Sequence, residues 1–167
     1  MFFVNYDSIY AIIRVQIFLE MDGPMMAYDV QALGNVPAFE DWLFNTATQE
    51  WQKRGRQGIW GKTADQYIRQ RAILEYNPYP PEEHQTGRDA VPPSIKQVYR
   101  NTELEELYRW GIDGAKTGNH RLLFVIHDEQ KVLLLHHFDK TYNGAIRRPD
   151  IVPAEQCYEA FGEHDSK

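Results

Sequence analysis

Two apolar runs lie almost end to end in the chain, RLLFVIH over residues 121–127 and KVLLLHHF over 131–138, with only Asp128, Glu129 and Gln130 between them. Runs of this length rich in leucine, valine, isoleucine and phenylalanine suit β-strands. A three-residue connection leaves no room for a crossover, so the two strands are expected to be antiparallel neighbours. Their hydrophobicity is nearly unbroken rather than alternating, as in strands covered on both faces. The rest of the chain must then supply a layer on each side of the sheet.

The preceding residues offer those layers. Residues 27–33 (AYDVQAL) alternate as a strand does, and Gly34 and Asn35 end it. Asn35 is placed to cap a helix, with Pro37 soon after, and Phe39, Trp42, Leu43 and Ala47 give that helix an apolar face. Gly55, Gly58 and Gly61 break the next segment into turns. Thr63 then caps a second helix over 64–76, with Ala64, Tyr67, Ile68, Ala72 and Ile73 at helical spacing. Residues 77–93 hold Pro78, Pro80, Pro81, Pro92 and Pro93 and form a loop, an excursion within one domain rather than a linker. Residues 104–112 are strand-like, and 153–161 predict a short helix starting at Pro153. The expected fold is α+β: a small, mainly antiparallel sheet, two N-terminal helices packed on it and a short C-terminal helix. With 167 residues, 43% of them hydrophobic, residues 26–167 suffice for a single domain with its own core.

Residues 1–25 read as an extension to this domain. Asp7, Arg14, Gln16 and Glu20 make them too polar for a membrane span. The basic start and small-residue cleavage site of a secretion signal are missing. Two readings stay open: residues 15–20 alternate as an edge strand would, or Met21, Met25 and Met26 mark a later translation start. The single cysteine, Cys157, excludes an internal disulfide and a multi-cysteine metal site, and it fits a reducing compartment.

A net charge of −6 argues at first against a polyanionic partner. The distribution softens this, because Lys53, Arg54, Arg56, Lys62, Arg69 and Arg71 give residues 48–71 a basic excess. The plain reading is a solvated helix face; the functional one is a stripe that contacts RNA.

Three segments of the C-terminal half carry a likeness. Leu107-Tyr-Arg-Trp-Gly-Ile112, Arg121-Leu-Leu-Phe-Val125 and Val132-Leu-Leu-Leu-His-His-Phe-Asp-Lys140 resemble three successive strands of the RelE/HigB toxin superfamily, in its phage-derived Gp49-like branch. The likeness is specific over residues 104–140 and extends over 26–161. It implies a cytoplasmic toxin of a type II toxin–antitoxin system, an mRNA interferase that cleaves mRNA, usually on the ribosome. Such toxins use no metal or cofactor and are silenced by a cognate antitoxin, here expected to be a helix-turn-helix protein. In the implied chemistry an RNA 2′-hydroxyl attacks the adjacent phosphate. That requires a base, cations for the phosphorane and an acid for the leaving oxygen, and it selects RNA over DNA. The alternative is a non-catalytic phage or host protein on the same scaffold that binds RNA or a protein partner.

The resemblance assigns Arg121, at the start of the central strand, to the scissile phosphate; the plain reading is a surface arginine paired with Asp128 or Glu129. Arg109 on the preceding strand is a further RNA contact, or else an ion-pair partner of Glu105 or Glu106. Lys140 matches the first lysine after the last strand and Tyr142 a nearby tyrosine that stacks or acts as acid. They read otherwise as a solvated lysine and a loop aromatic. Thr141 stands where the family pattern has a second lysine, and His137 where it has glycine. His136 matches the family histidine and is also the kind of residue that simply packs. Strict alternation puts His136 with Val132, Leu134 and Phe138, and His137 with Leu133 and Leu135. Pointing apart, the two are poorly placed to share a metal ion. His120 and His127 flank the neighbouring strand and could face the same cleft. Glycine-rich phosphate loops, G-x-S-x-G and H-E-x-x-H motifs are absent.

Overall fold

The computed structural model describes residues 27–80, 93–114, 116–128 and 130–165. Both readings of residues 1–25 fall outside them, as do residues 81–92 of the proline-rich loop. Strand β1 (Asp29–Ala32) leads into helices α1 (Val36–Arg54) and α2 (Ile59–Leu74). Strands β2 (Ser94–Gln97), β3 (Leu107–Asp113), β4 (Asn119–His127) and β5 (Lys131–Asp139) follow, and helix α3 (Arg148–Asp165) comes last. The strands form one sheet in the order β1-β5-β4-β3-β2. β2 through β5 pair antiparallel, and β1 runs parallel to β5. The fold is α+β as expected, a mainly antiparallel sheet with two helices between β1 and the four antiparallel strands and one helix after them.

Each face of the sheet has its own core, which is why β4 and β5 are apolar throughout. On one face Val36, Phe39 and Leu43 of α1 and Ala64, Tyr67 and Leu74 of α2 meet Trp110, Ile112, Leu122, Phe124, Val132 and Leu134. On the other, Ile151 and Ala154 of α3 meet Leu107, Leu123, Val125, Leu133, Leu135 and Phe138.

Several local expectations need correction. Helix α2 starts at Ile59 rather than residue 64, because the Glu50 carboxylate accepts the N–H groups of Ile59, Trp60 and Gly61 at 3.1, 2.9 and 3.1 Å. A carboxylate there satisfies orphan donors and complements the helix dipole. A Cβ on Gly58 would lie 2.1 Å from that carboxylate, so only glycine leaves it room. Thr63 is no cap: its hydroxyl donates to the Ile59 carbonyl at 3.0 Å, inside the helix. Gly61 is also helical, and Gly55 ends α1. Helix α3 begins at Arg148, not Pro153. Strand β2, four residues long, was not anticipated, and β3 starts at Leu107.

Asn35 precedes α1 but makes no side-chain cap. Its Nδ2 donates to the His137 carbonyl at 2.8 Å, and its Oδ1 accepts the His137 N–H at 2.8 Å. It thus continues the pairing of β5 where β1 has turned away. Opposite, the β4–β5 register shifts: Phe124 faces Leu134, but Leu123 faces His136. Leu135 is the extra residue of this bulge, and such an insertion reverses the alternation beyond it. His137 therefore joins the face of Val132 and Leu134, where its ring stacks on Phe39 at 3.5 Å between centroids. His136 joins the face of Leu133 and Leu135 and stacks on Phe138 at 5.9 Å. This is the reverse of the assignment from strict alternation.

Candidate nucleic-acid interface

Arg109 on β3, Arg121 on β4 and Lys140 just past β5 come from three adjacent strands and line one cleft of about 350 Å³. The volume lies within the range of ligand sites, ~300–1,000 Å³. Arg109 is opposite Leu123, and Arg121 is opposite Gly111 and Phe138, so both arginines project on the α3 face of the sheet. Tyr99 and Arg100, from the β2–β3 connection, and Gly144 and Ile146, before α3, complete the walls.

Gly111 seats the Arg121 guanidinium. A Cβ there would stand 3.0 Å from Nη1 and 3.2 Å from Cζ, tighter than ordinary packing. Nη1 donates to the His120 carbonyl at 2.8 Å, while Nε is buried without a hydrogen-bond partner. Among the described residues no carboxylate lies within ion-pairing distance of Arg109, Arg121 or Lys140. The ion pairs considered for Arg109 with Glu105 or Glu106, and for Arg121 with Asp128, do not form; Glu129 is outside the described residues. Burial, and then Arg109, press the Arg121 pKa down. Burial also lowers that of Arg109. Burial, then Arg121, Arg109 and Arg147, lower that of Lys140. Arginine stays charged regardless. Clustered cations repel one another until an anion enters, so the cleft favours a phosphate or another anion.

Tyr142 lies beside the cleft, but its hydroxyl is engaged. It donates to the Asp150 carboxylate and accepts the Arg147 N–H at 3.1 Å. Burial and the Asp150 bond raise its pKa. Its ring lies under Lys140 Nζ at 4.5 Å and Arg147 Cζ at 4.2 Å, and its carbonyl accepts from Lys140 Nζ at 2.6 Å. Tyr142 thus acts here as the post that holds Lys140 and Arg147. His136 is on the cleft's face of the sheet but does not line the cleft, and burial lowers its pKa.

The other histidines do not gather there. His127 shares the face but sits at the far end of β4, bonded to the Tyr158 hydroxyl at 3.1 Å and to Asp128 at 3.0 Å. His120 and His137 are on the opposite face, linked Nδ1 to Nε2 at 3.1 Å, and His120 Nε2 reaches the Thr117 carbonyl at 3.1 Å. If Nε2 donates to that carbonyl, Nδ1 must accept from His137, a chain that suits two neutral rings. Burial, and then His120, push His137 down to about 3. Lys53, Arg54, Arg56, Lys62 and Arg69 are exposed on α1, α2 and the turn between them, and these helices pack on the face opposite the cleft. Arg54 and Arg69 pair with Glu50 and Asp65, at 3.7 and 3.1 Å. Among the described residues no histidine, cysteine and carboxylate group could hold a metal ion, and no helix is long and apolar enough to cross a membrane.

Tyr99, Arg100 and Arg147 were not singled out from the sequence. They sit in connections without periodicity; the fold brings Tyr99 and Arg100 to the cleft of Arg109 and Arg121, and Arg147 over the Tyr142 ring near Lys140. No protein-family model matches the chain, and neither a curated protein nor a solved structure matches it.

Proposed function

We propose that this protein is a metal-independent endoribonuclease of the toxin type, acting in the cytoplasm on mRNA, with the ribosome as the site of cutting and a helix-turn-helix antitoxin as its silencing partner. One observation carries the reading: Arg109, Arg121 and Lys140 converge in one cleft with no carboxylate at ion-pairing distance among the described residues, Asp113, Asp139 and Asp150 acting on them only from farther off. The strand segments that resemble the RelE/HigB superfamily are the ones that supply them. The arginines hold the phosphate and stabilise charge on the phosphorane. Lys140, whose pKa burial and the neighbouring arginines lower, lines the cleft beside both arginines and is the group placed to move a proton. His136 and Tyr142 take supporting positions rather than acid–base roles.

The test is induced expression without a partner gene, with RNA 5′ ends and the chemistry of the cut termini mapped. New ends bearing 5′-hydroxyls and 2′,3′-cyclic phosphates are expected, because the 2′-hydroxyl is the nucleophile. Normal growth and intact RNA alongside abundant folded protein would overturn cleavage. A second reading, a protein that binds RNA without cutting it, is favoured by the Tyr142 hydroxyl, which Asp150 already occupies. RNA binding that depends on Arg121 with no cleavage would select it.

A further inference from the structure

Resting on that reading, we infer that Tyr99 is a stacking platform for the base next to the bound phosphate, so that the cleft takes an unstacked nucleotide of single-stranded RNA. Tyr99 is 79% exposed, yet it lines the same cleft as Arg109, Arg121 and Lys140. Among the described residues its ring meets no other ring and its hydroxyl makes no hydrogen bond. A large aromatic face left to solvent beside three cations without an ion-pair partner among the described residues suits a nucleotide, which has an anionic part and a flat part. Gly144, on the same cleft, borders open space: a Cβ there would meet nothing within 4 Å.

The connection that carries Tyr99 is held at both ends. Val98, buried, donates its N–H to the Leu107 carbonyl at 2.8 Å. Asn101, in the left-handed region at φ 63°, donates from Nδ2 to the Ile146 carbonyl at 2.9 Å. Arg148 donates to the Asn101 carbonyl at 3.1 Å and pairs with Glu103 at 3.0 Å and Glu155 at 2.6 Å. Glu155 also accepts from Thr102 Oγ1 at 3.0 Å and the Glu103 N–H at 2.7 Å. The latch ties the tyrosine's wall to the wall around Ile146, so the backbone that carries Tyr99 is held beside the cleft before a ligand arrives. Only the ring's own rotation is then left to settle on binding. Stacking on an aromatic ring tolerates any base but requires one that is not already stacked in a duplex.

The experiment is fluorescence anisotropy with a labelled 2′-O-methyl RNA, which cannot be cleaved, in intact, fully abasic and duplex forms. Tyr99→Ala should weaken binding of the intact strand about 5- to 150-fold, and Tyr99→Phe by no more than about twofold. The abasic strand should bind wild-type protein as weakly as the intact strand binds Tyr99→Ala, and should be indifferent to that substitution. Equal binding of intact and abasic strands, with loss only in Arg121→Ala, would overturn the platform and leave the phosphate cleft standing. Binding that Arg121→Ala does not weaken would overturn the underlying reading as well. Tyr99 makes no contact on which folding depends, so either variant should remain folded.

Discussion

His120 and Arg121 are consecutive in β4, yet they end in opposite circumstances. His120 is buried under α1 and α2, bonded to His137 and to the Thr117 carbonyl. On that face Thr63 and Thr117 bond each other at 2.8 Å, and Trp110 Nε1 donates to Gln70 Oε1 at 2.7 Å. Arg121 lies on the face that α3 packs, with a buried Nε that has no partner and a second arginine beside it. Helix α3 packs on β5 and β4, and the cleft lies where β3, β4 and the end of β5 bring their cations together. Polar groups that close on one another hold a fold together; polar groups left facing a cleft await something from outside.

The strongest test of the closed face is Trp110→Ala. The side chain is fully buried, stacked on Tyr67 at 5.0 Å and bonded to Gln70. Its loss should cost about 3–5 kcal/mol, with Gln70 left unpaired, and chemical denaturation should show it. A loss below about 1 kcal/mol would mean that the face is loosely packed. On the open face Arg121→Ala should lower RNA cleavage about 10²–10³-fold while leaving the melting temperature unchanged or raised, because it relieves like-charge repulsion. Lys140→Ala should do less, as a flexible point charge is more easily replaced. A large drop in melting temperature for Arg121→Ala would move this residue to the structural side of the comparison.

Acid should act on the closed face. His137 in the folded chain titrates at about 3 against an ordinary value of 6.5. Between these values the unfolded chain holds a proton that the folded one refuses. The contribution is therefore complete above pH 6.5 and is lost as pH falls toward 3, by at most about 1.4 kcal/mol per pH unit. Melting should fall from pH 7.5 to pH 5, and less so in His137→Phe; equal slopes would show that the ring is more open to water. The smallest effect belongs to the helix cations. Arg69→Ala should change stability by about 0.3–0.5 kcal/mol and leave RNA cleavage as it was. A clear loss of cleavage would extend the functional surface around to α2.

The two layers and the antiparallel β4–β5 pair were legible in the sequence, because unbroken apolar runs around a three-residue turn leave few other solutions. Arg109, Arg121 and Lys140 could be named from the strand segments, although their convergence depends on register. The sides of His136 and His137 could not be read, since one extra residue at Leu135 reverses them. That bulge sits where the Gly34 backbone crosses β5: a Cβ on Gly34 would lie 2.2 Å from the Leu135 carbonyl oxygen. Nor could the start of α2, which is set by a carboxylate nine residues before the first N–H it accepts. Such contacts leave no local pattern.

The amide of Asn35 has a consequence for how copies of this protein meet. A sheet with two strands as apolar as β4 and β5 is a template for polymerisation wherever a flank lies open. Both outer strands, β1 and β2, are only four residues long. Where β1 ends, the backbone of β5 would offer a free N–H and C=O to a neighbouring molecule. The carboxamide of Asn35 occupies both at His137, so one side chain works as a stopper against edge-to-edge growth into fibres.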